Sequence, residues 1–171
     1  MDELIKELNT LISNKLYITA LNTALIVPDI CSALQSSNGK TNGKKYANWF
    51  NTYVSDKYNG NIYGSDIYKI RCASLHQGHF NSEYDYYDIV IFQPTTTGIV
   101  LHNSISSNNG GKIETALIIN IELFIDDIIQ GVNQWLLIIN ENPFYNKNRT
   151  KSFSYHPNGL SPHFLGIPVL A

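Results

Sequence analysis

Arginine is nearly missing from this 171-residue chain, which has only Arg71 and Arg149 beside ten lysines. It is therefore not the default cation here, and its use inside a largely apolar helical segment asks for a chemical reason. Cysteine is as scarce. Cys31 and Cys72 both sit among apolar residues with helical spacing, which argues against a disulfide framework and suits reduced structural thiols in a cytosolic protein. A large excess of one charge is absent too. The formal charge of −2 and the pI near 6.2 exclude a strongly basic nucleic-acid coat and leave room only for a small, local binding site.

Unbroken apolar runs are also lacking. Residues 1–6, MDELIK, are acidic and amphipathic, without the basic start and apolar core of a secretory leader. The longest apolar candidate, residues 113–139, is interrupted by Glu114, Glu122, Asp126 and Asp127 and is too polar for lipid. These absences predict a cytoplasmic protein with no membrane partner. There is no internal repeat. There is no glycine-rich phosphate loop either, since NNGG at 108–111 lacks the strand–loop–helix lysine signature.

What is present suffices for one domain with a substantial core, because 43% of the residues are hydrophobic. Leu4, Ile5, Leu8, Leu11 and Ile12 form one helical stripe, which Leu16, Ala20, Leu21, Ala24 and Leu25 continue, so two helices or one bent helix come first. Pro28 is expected to interrupt, with a short helix starting at Pro28 and Asp29 and running to Leu34. Residues 36–43 read as a loop. Tyr46, Trp49, Phe50, Tyr53 and Val54 then repeat at three and four residues, an aromatic face that suits a core or a subunit interface. After a turn at Asn59 and Gly60, Ser65 can cap a helix with Ile67, Ile70 and Ser74 on one face, and Gly78 is its C-terminal stop.

Character changes at Tyr84. Residues 86–92 are aromatic and β-branched, 94–98 read as a turn and Ile99, Val100 and Leu101 answer it, so a β-hairpin is expected, with residues 115–119 as a third strand. Residues 104–112 read as an exposed loop. Ile121, Phe124, Ile125, Ile128, Val132, Trp135, Leu136 and Ile139 mark a long amphipathic helix. The fold class is thus mainly α within α+β: a helical domain over 1–142 with a small antiparallel β insertion at about 84–119, and an irregular tail over 143–171 packed on the same domain. The stripes on 44–57 and 121–140 offer more apolar surface than one small bundle needs, which predicts a homodimer joined mainly by helices.

The chemistry-bearing segment is Arg71, Cys72, Ala73, Ser74, Leu75 and His76. A guanidinium presents a planar fork of donors to phosphate, and an imidazole moves protons near neutral pH, so the pair suggests phosphodiester chemistry; a buried structural hydrogen bond uses the same two residues. On an ideal helix five residues turn about 140° and climb about 7.5 Å, so Arg71 and His76 should not share a narrow face unless the helix unwinds near Gly78 or a second subunit contributes its copy. An arginine and a histidine separated by four to six intervening residues near a helix end resemble the hallmark of the HEPN group of helical-bundle proteins. That resemblance implies a helical bundle and metal-independent endoribonuclease activity, often in toxin–antitoxin or antiphage systems, with two motifs meeting across a homodimer. It implies catalytic roles for Arg71 and His76, RNA as substrate, an antitoxin protein as a partner, and no cofactor. Departures from the family pattern are Cys72, where active members commonly carry a polar residue, and the β insertion. The alternative is a non-catalytic HEPN-like dimeric module that binds nucleotide, RNA or protein. A purely structural domain, with Arg71 paired to a carboxylate such as Asp66 and His76 capping a helix, is the third reading.

Other constellations are weaker. His76 and His79 lie three apart, but no carboxylate or cysteine set completes a metal site. Ser74 has no nucleophile elbow and reads as a packing residue. Asp85, Asp88, Asp126 and Asp127 read as solvent-facing charges or caps, and His156 and His163 flank a turn at Asn158 and Gly159.

Overall fold

A computed structural model describes residues 1–80, 84, 86–96, 98–108, 110 and 114–171. Asp85, part of the expected hairpin turn (Thr97) and part of the expected 104–112 loop lie outside the described residues. The helices are α1 (Asp2–Ser13), α2 (Tyr17–Leu34), α3 (Gly43–Tyr53), α4 (Gly64–Gln77), α5 (Ile121–Ile139) and α6 (Pro143–Arg149), with a 3-10 turn at Ser55–Tyr58. Between α4 and α5 lie β1 (Ile89–Gln93), β2 (Ser104–Asn108) and β3 (Glu114–Asn120).

The hub is α2, which packs against α1, α3, α4, α5 and α6. Apolar residues on every side of it explain this position, since such a helix must be covered all round. Among the described residues it alone has the length and apolarity of a membrane span, and here Ala20, Leu21, Ala24, Leu25, Val27 and Cys31 are buried in protein. Pro28 does not break it, contrary to the sequence expectation. A proline removes one helix hydrogen bond and crowds the carbonyl four residues back. Burial of the segments on both sides holds the helix continuous, and the Tyr46 hydroxyl donates to the Leu25 carbonyl (2.8 Å) within the disturbed turn.

One core runs from Leu8 on α1 to Tyr145 on α6. Tyr46, Trp49 and Phe50 on α3 and Phe124, Ile128 and Trp135 on α5 are all within it, each no more than 1% exposed. Both stripes that suggested a dimer are therefore spent inside one chain. Trp135 satisfies its indole N–H on Gln35 Oε1 at 2.8 Å, pinning α5 to the end of α2.

The sheet has the order β1-β3-β2, with β1 parallel and β2 antiparallel to β3. This corrects the expected hairpin and the all-antiparallel insertion. The apolar strand β3 takes the centre with Leu117 and Ile119 fully buried. Its polar partner is SISSN, read from sequence as loop, because a solvent-facing edge strand needs no apolar alternation. Ile99 and Val100 instead lie exposed, with Ile99 joined to Thr96 by an isolated bridge. Asn120 ends β3 and caps α5, accepting from Leu123 N at 2.9 Å and donating to Thr95 Oγ1 at 3.0 Å. The tail is likewise not uniformly irregular: Asn142 caps α6 behind Pro143, and two short antiparallel ribbons follow, β4 (Tyr155–His156) with β7 (Val169–Leu170) and β5 (Gly159–Leu160) with β6 (Phe164–Leu165).

A candidate arginine–histidine site

Helix α4 is fixed at both ends. At its start Asp66 accepts from Tyr63 N (3.0 Å) and Asn51 Oδ1 accepts from Gly64 N (2.7 Å), so Asp66 is a cap and not the partner of Arg71, and the N-cap is Tyr63 rather than Ser65. Gly64 lies so close to the Ala47 backbone of α3 that a Cβ would overlap it. At the other end Gly78 adopts φ +73°, the left-handed conformation glycine enters at little cost, and its N–H reaches the Ser74 carbonyl at 3.2 Å. Ser74 is buried and donates to Asn22 Oδ1 of α2 (2.5 Å), a packing role as expected.

Arg71 and His76 sit on this anchored helix and meet within one chain. Arg71 Nε donates to Asp29 Oδ2 of α2 at 2.7 Å, and Arg71 Nη1 lies 3.4 Å from His76 Nε2. The expectation that the helix must unwind, or that a partner must supply the second group, is corrected: α4 stays helical through Gln77, and the long arginine side chain spans the angular gap. Arg71 carries donors only, so a hydrogen bond between them requires the lone pair of His76 Nε2 as acceptor. His76 is exposed, whereas the Arg71 and Asp29 side chains keep only 22% and 12% of their surface. The site is a half-buried guanidinium, gripped from behind by a carboxylate, with a histidine at its mouth.

Burial pushes the Asp29 carboxyl above its ordinary value, and the Arg71 charge offsets this only in part. For Arg71 burial works against the cation, yet Asp29 and a hydrogen bond to Cys72 outweigh it and hold the guanidinium above its usual range. Burial, then the Asp29 charge, drives the Tyr46 hydroxyl far up, so it stays a neutral donor. Cys31, buried in the core, is also pushed up, as suits an inert thiol.

A second polar cluster escaped the sequence reading. Asp127, expected to face solvent, accepts from Lys57 Nζ (2.8 Å) and Tyr58 Oη (3.0 Å), and His102 Nε2 lies 3.4 Å away. Burial alone would raise its carboxyl, but contacts with His102, Lys57 and Tyr58 prevail and hold it below the usual range. The signal was present, since Asp127 shares the apolar stripe of Phe124 and Ile128. Among the described residues no three His, Cys, Asp or Glu side chains gather as a metal-holding group, and His79 is exposed. No family model, curated protein or solved structure matches this chain.

Proposed function

We propose that the chain is a metal-independent endoribonuclease of HEPN type, which cleaves RNA by transesterification at the Arg71 and His76 site. The observation that supports this reading is the single-chain geometry: Arg71 anchored on Asp29, with Nη1 3.4 Å from an exposed His76. A phosphodiester entering at His76 would draw the free edge of the guanidinium onto its non-bridging oxygens and release His76 Nε2 as a base. The 2′-oxygen then bonds to phosphorus as the bond to the 5′-oxygen breaks. The proton passes from the 2′-hydroxyl to His76, and His76 or water delivers one to the departing oxygen. Arg71 stabilises the charge that grows on the phosphorane, a role typically worth several kcal/mol, on the order of 3. Each chain carries both groups, so this reading does not require a composite site across a homodimer. A cytoplasmic setting and an inhibitory antitoxin that covers His76 belong to the same proposal.

The second reading is a non-catalytic module that binds RNA or nucleotide, and it is favoured by Asp29, whose carboxylate already engages the cation. Incubation of the purified chain with single-stranded RNA separates them. Cleavage undiminished by excess EDTA, with products ending in 2′,3′-cyclic phosphate and absent for His76→Ala, is expected. Binding without products supports the second reading, and a strict need for Mg²⁺ sinks the first.

A further inference from the structure

Lysine gathers beside the arginine–histidine pair. Between Asp29 and Asp56 the sequence has no acid, and its bases there are Lys40, Lys44 and Lys45, so a chain of net negative charge is locally positive over this stretch. Two sets of contacts place the segment next to Arg71. Ser32 Oγ reaches both Thr41 Oγ1 (2.6 Å) and the Asp29 carbonyl (3.2 Å), which ties Thr41 to the residue that grips Arg71. Helices α3 and α4 run antiparallel, with Ala47 against Gly64 and Gly43 against the Tyr68 ring, where an added Cβ would lie 2.7 Å from Cε1. The chain before Gly43 therefore continues along α4 toward Arg71.

These charges are not used within the chain. Lys40 and Lys44 are exposed, and among the described residues no carboxylate pairs with either. Lys44 stands two helical turns before Asn51, which accepts from Gly64 N, and so lies on the edge of α3 that faces α4. Lys45 has a different role: its Nζ donates to the Lys40 carbonyl (2.8 Å) and to Asn38 Oδ1 (3.2 Å), which pins the loop over 36–43. The acids nearest in this arrangement are committed, Asp29 to Arg71 and Asp66 to the cap at the far end of α4.

We propose that Lys40 and Lys44 form a second phosphate subsite, which together hold the RNA phosphate neighbouring the one bound by Arg71. Ammonium groups on flexible stems neutralise a phosphate as point charges and read no base edge, so the subsite selects a polynucleotide over a lone nucleotide and is indifferent to sequence. An acidic protein segment carries the same sign of charge. RNA is favoured because a strand seated at the Arg71 fork already extends its next phosphate past the groups that flank that fork. The subsite rests on the reading of Arg71 as a phosphate ligand, and binding is measured apart from cleavage so that the two can fail separately.

Fluorescence anisotropy with a pentanucleotide blocked by 2′-deoxy substitution tests it, beside cleavage of the same sequence as RNA. One phosphate contact on a single strand contributes about 0.7 to the log–log salt slope, which is roughly eightfold in affinity between about 50 mM and about 1 M salt. Lys40→Gln with Lys44→Gln is therefore expected to weaken binding about five- to tenfold at about 50 mM salt and to lower the slope by about 0.7, with the gap closing toward about 1 M salt. In cleavage the loss should fall on KM rather than kcat. Both side chains are exposed and Lys45 is spared, so the thermal midpoint should match wild type. Lys6→Gln with Lys147→Gln removes the same charge elsewhere and should leave the affinity near wild type. Cleavage by wild type with no loss of binding in the Lys40 and Lys44 variant overturns the subsite and leaves the ribonuclease reading standing. Loss of binding in that variant while wild type cuts no RNA overturns the ribonuclease reading and supports the subsite. Wild type that neither binds nor cuts overturns both. An equal loss in the Lys6 and Lys147 variant, a gap that persists at high salt, or displacement of the RNA as readily by pentaglutamate as by unlabelled RNA also overturns the subsite.

Discussion

Asp29 changes what Arg71 can be asked to do. A guanidinium held at Nε by a carboxylate cannot rotate freely, so its remaining edge is aimed before substrate arrives. Lysine at this position would keep the charge but lose both the grip on Asp29 and the planar fork. Arg71→Lys is therefore expected to lower RNA cleavage by at least about a hundredfold. His76→Ala should abolish cleavage with a thermal unfolding free energy within about 0.5 kcal/mol of wild type, because the ring is exposed. Loss of the fold in His76→Ala, or unimpaired cleavage by either variant, would overturn the catalytic assignment. Asp127 leads to a prediction on acid stability. Its folded carboxyl is held below the ordinary value by its donors, so its contribution is present above about pH 4 and is lost as pH falls through the lower folded value. Asp29, raised by burial, works in the opposite sense and favours the fold at acid pH. Urea denaturation across this range should show Asp127→Asn less stable than wild type near neutrality, with the gap closing in acid; a gap that stays constant would mean Asp127 contributes packing rather than charge.

The α3–α4 crossing is set by Gly64, whose missing side chain lets the two backbones approach. Over-packing of this kind typically costs about 1–3 kcal/mol, and here the clash is with backbone that cannot rotate away. Gly64→Ala should lower stability by about 2–3 kcal/mol, read by chemical denaturation, and an unchanged midpoint would show that α3 shifts freely. This close approach was invisible in the sequence, where nothing singled out Gly64. The helices themselves were legible, because the apolar spacing of α1, α3 and α5 follows directly from the faces they bury. What failed was non-local. Pro28 reads as a stop unless the neighbours that cover α2 are known, and SISSN has no strand signal because only its pairing with β3 makes it one. The Arg71 and His76 pair was legible as a spacing, but its partner Asp29 lies 42 residues away on another helix and no local pattern marks it. The tail over 143–171 was read as irregular because its ribbons are two residues long and bury too little to leave a periodicity.

At the scale of the whole molecule, the net charge limits how RNA can be held. A chain of −2, with residues 1–141 carrying five more acids than bases, presents no broad positive field to a phosphate backbone. Binding through Arg71 then displaces only the counterions of the one or two phosphates it reaches. For single strands the logarithm of affinity falls with the logarithm of salt by roughly 0.7 for each phosphate neutralised. Fluorescence anisotropy with a single-stranded RNA and Arg71 intact, under conditions that block turnover such as a 2′-deoxy substitution at the scissile position, should therefore give a slope of about −0.7 to −1.4. Arg71→Ala should flatten it toward zero. A slope near −4 or steeper would mean that several lysines line an extended RNA path, and the local site at Arg71 would then no longer account for substrate binding.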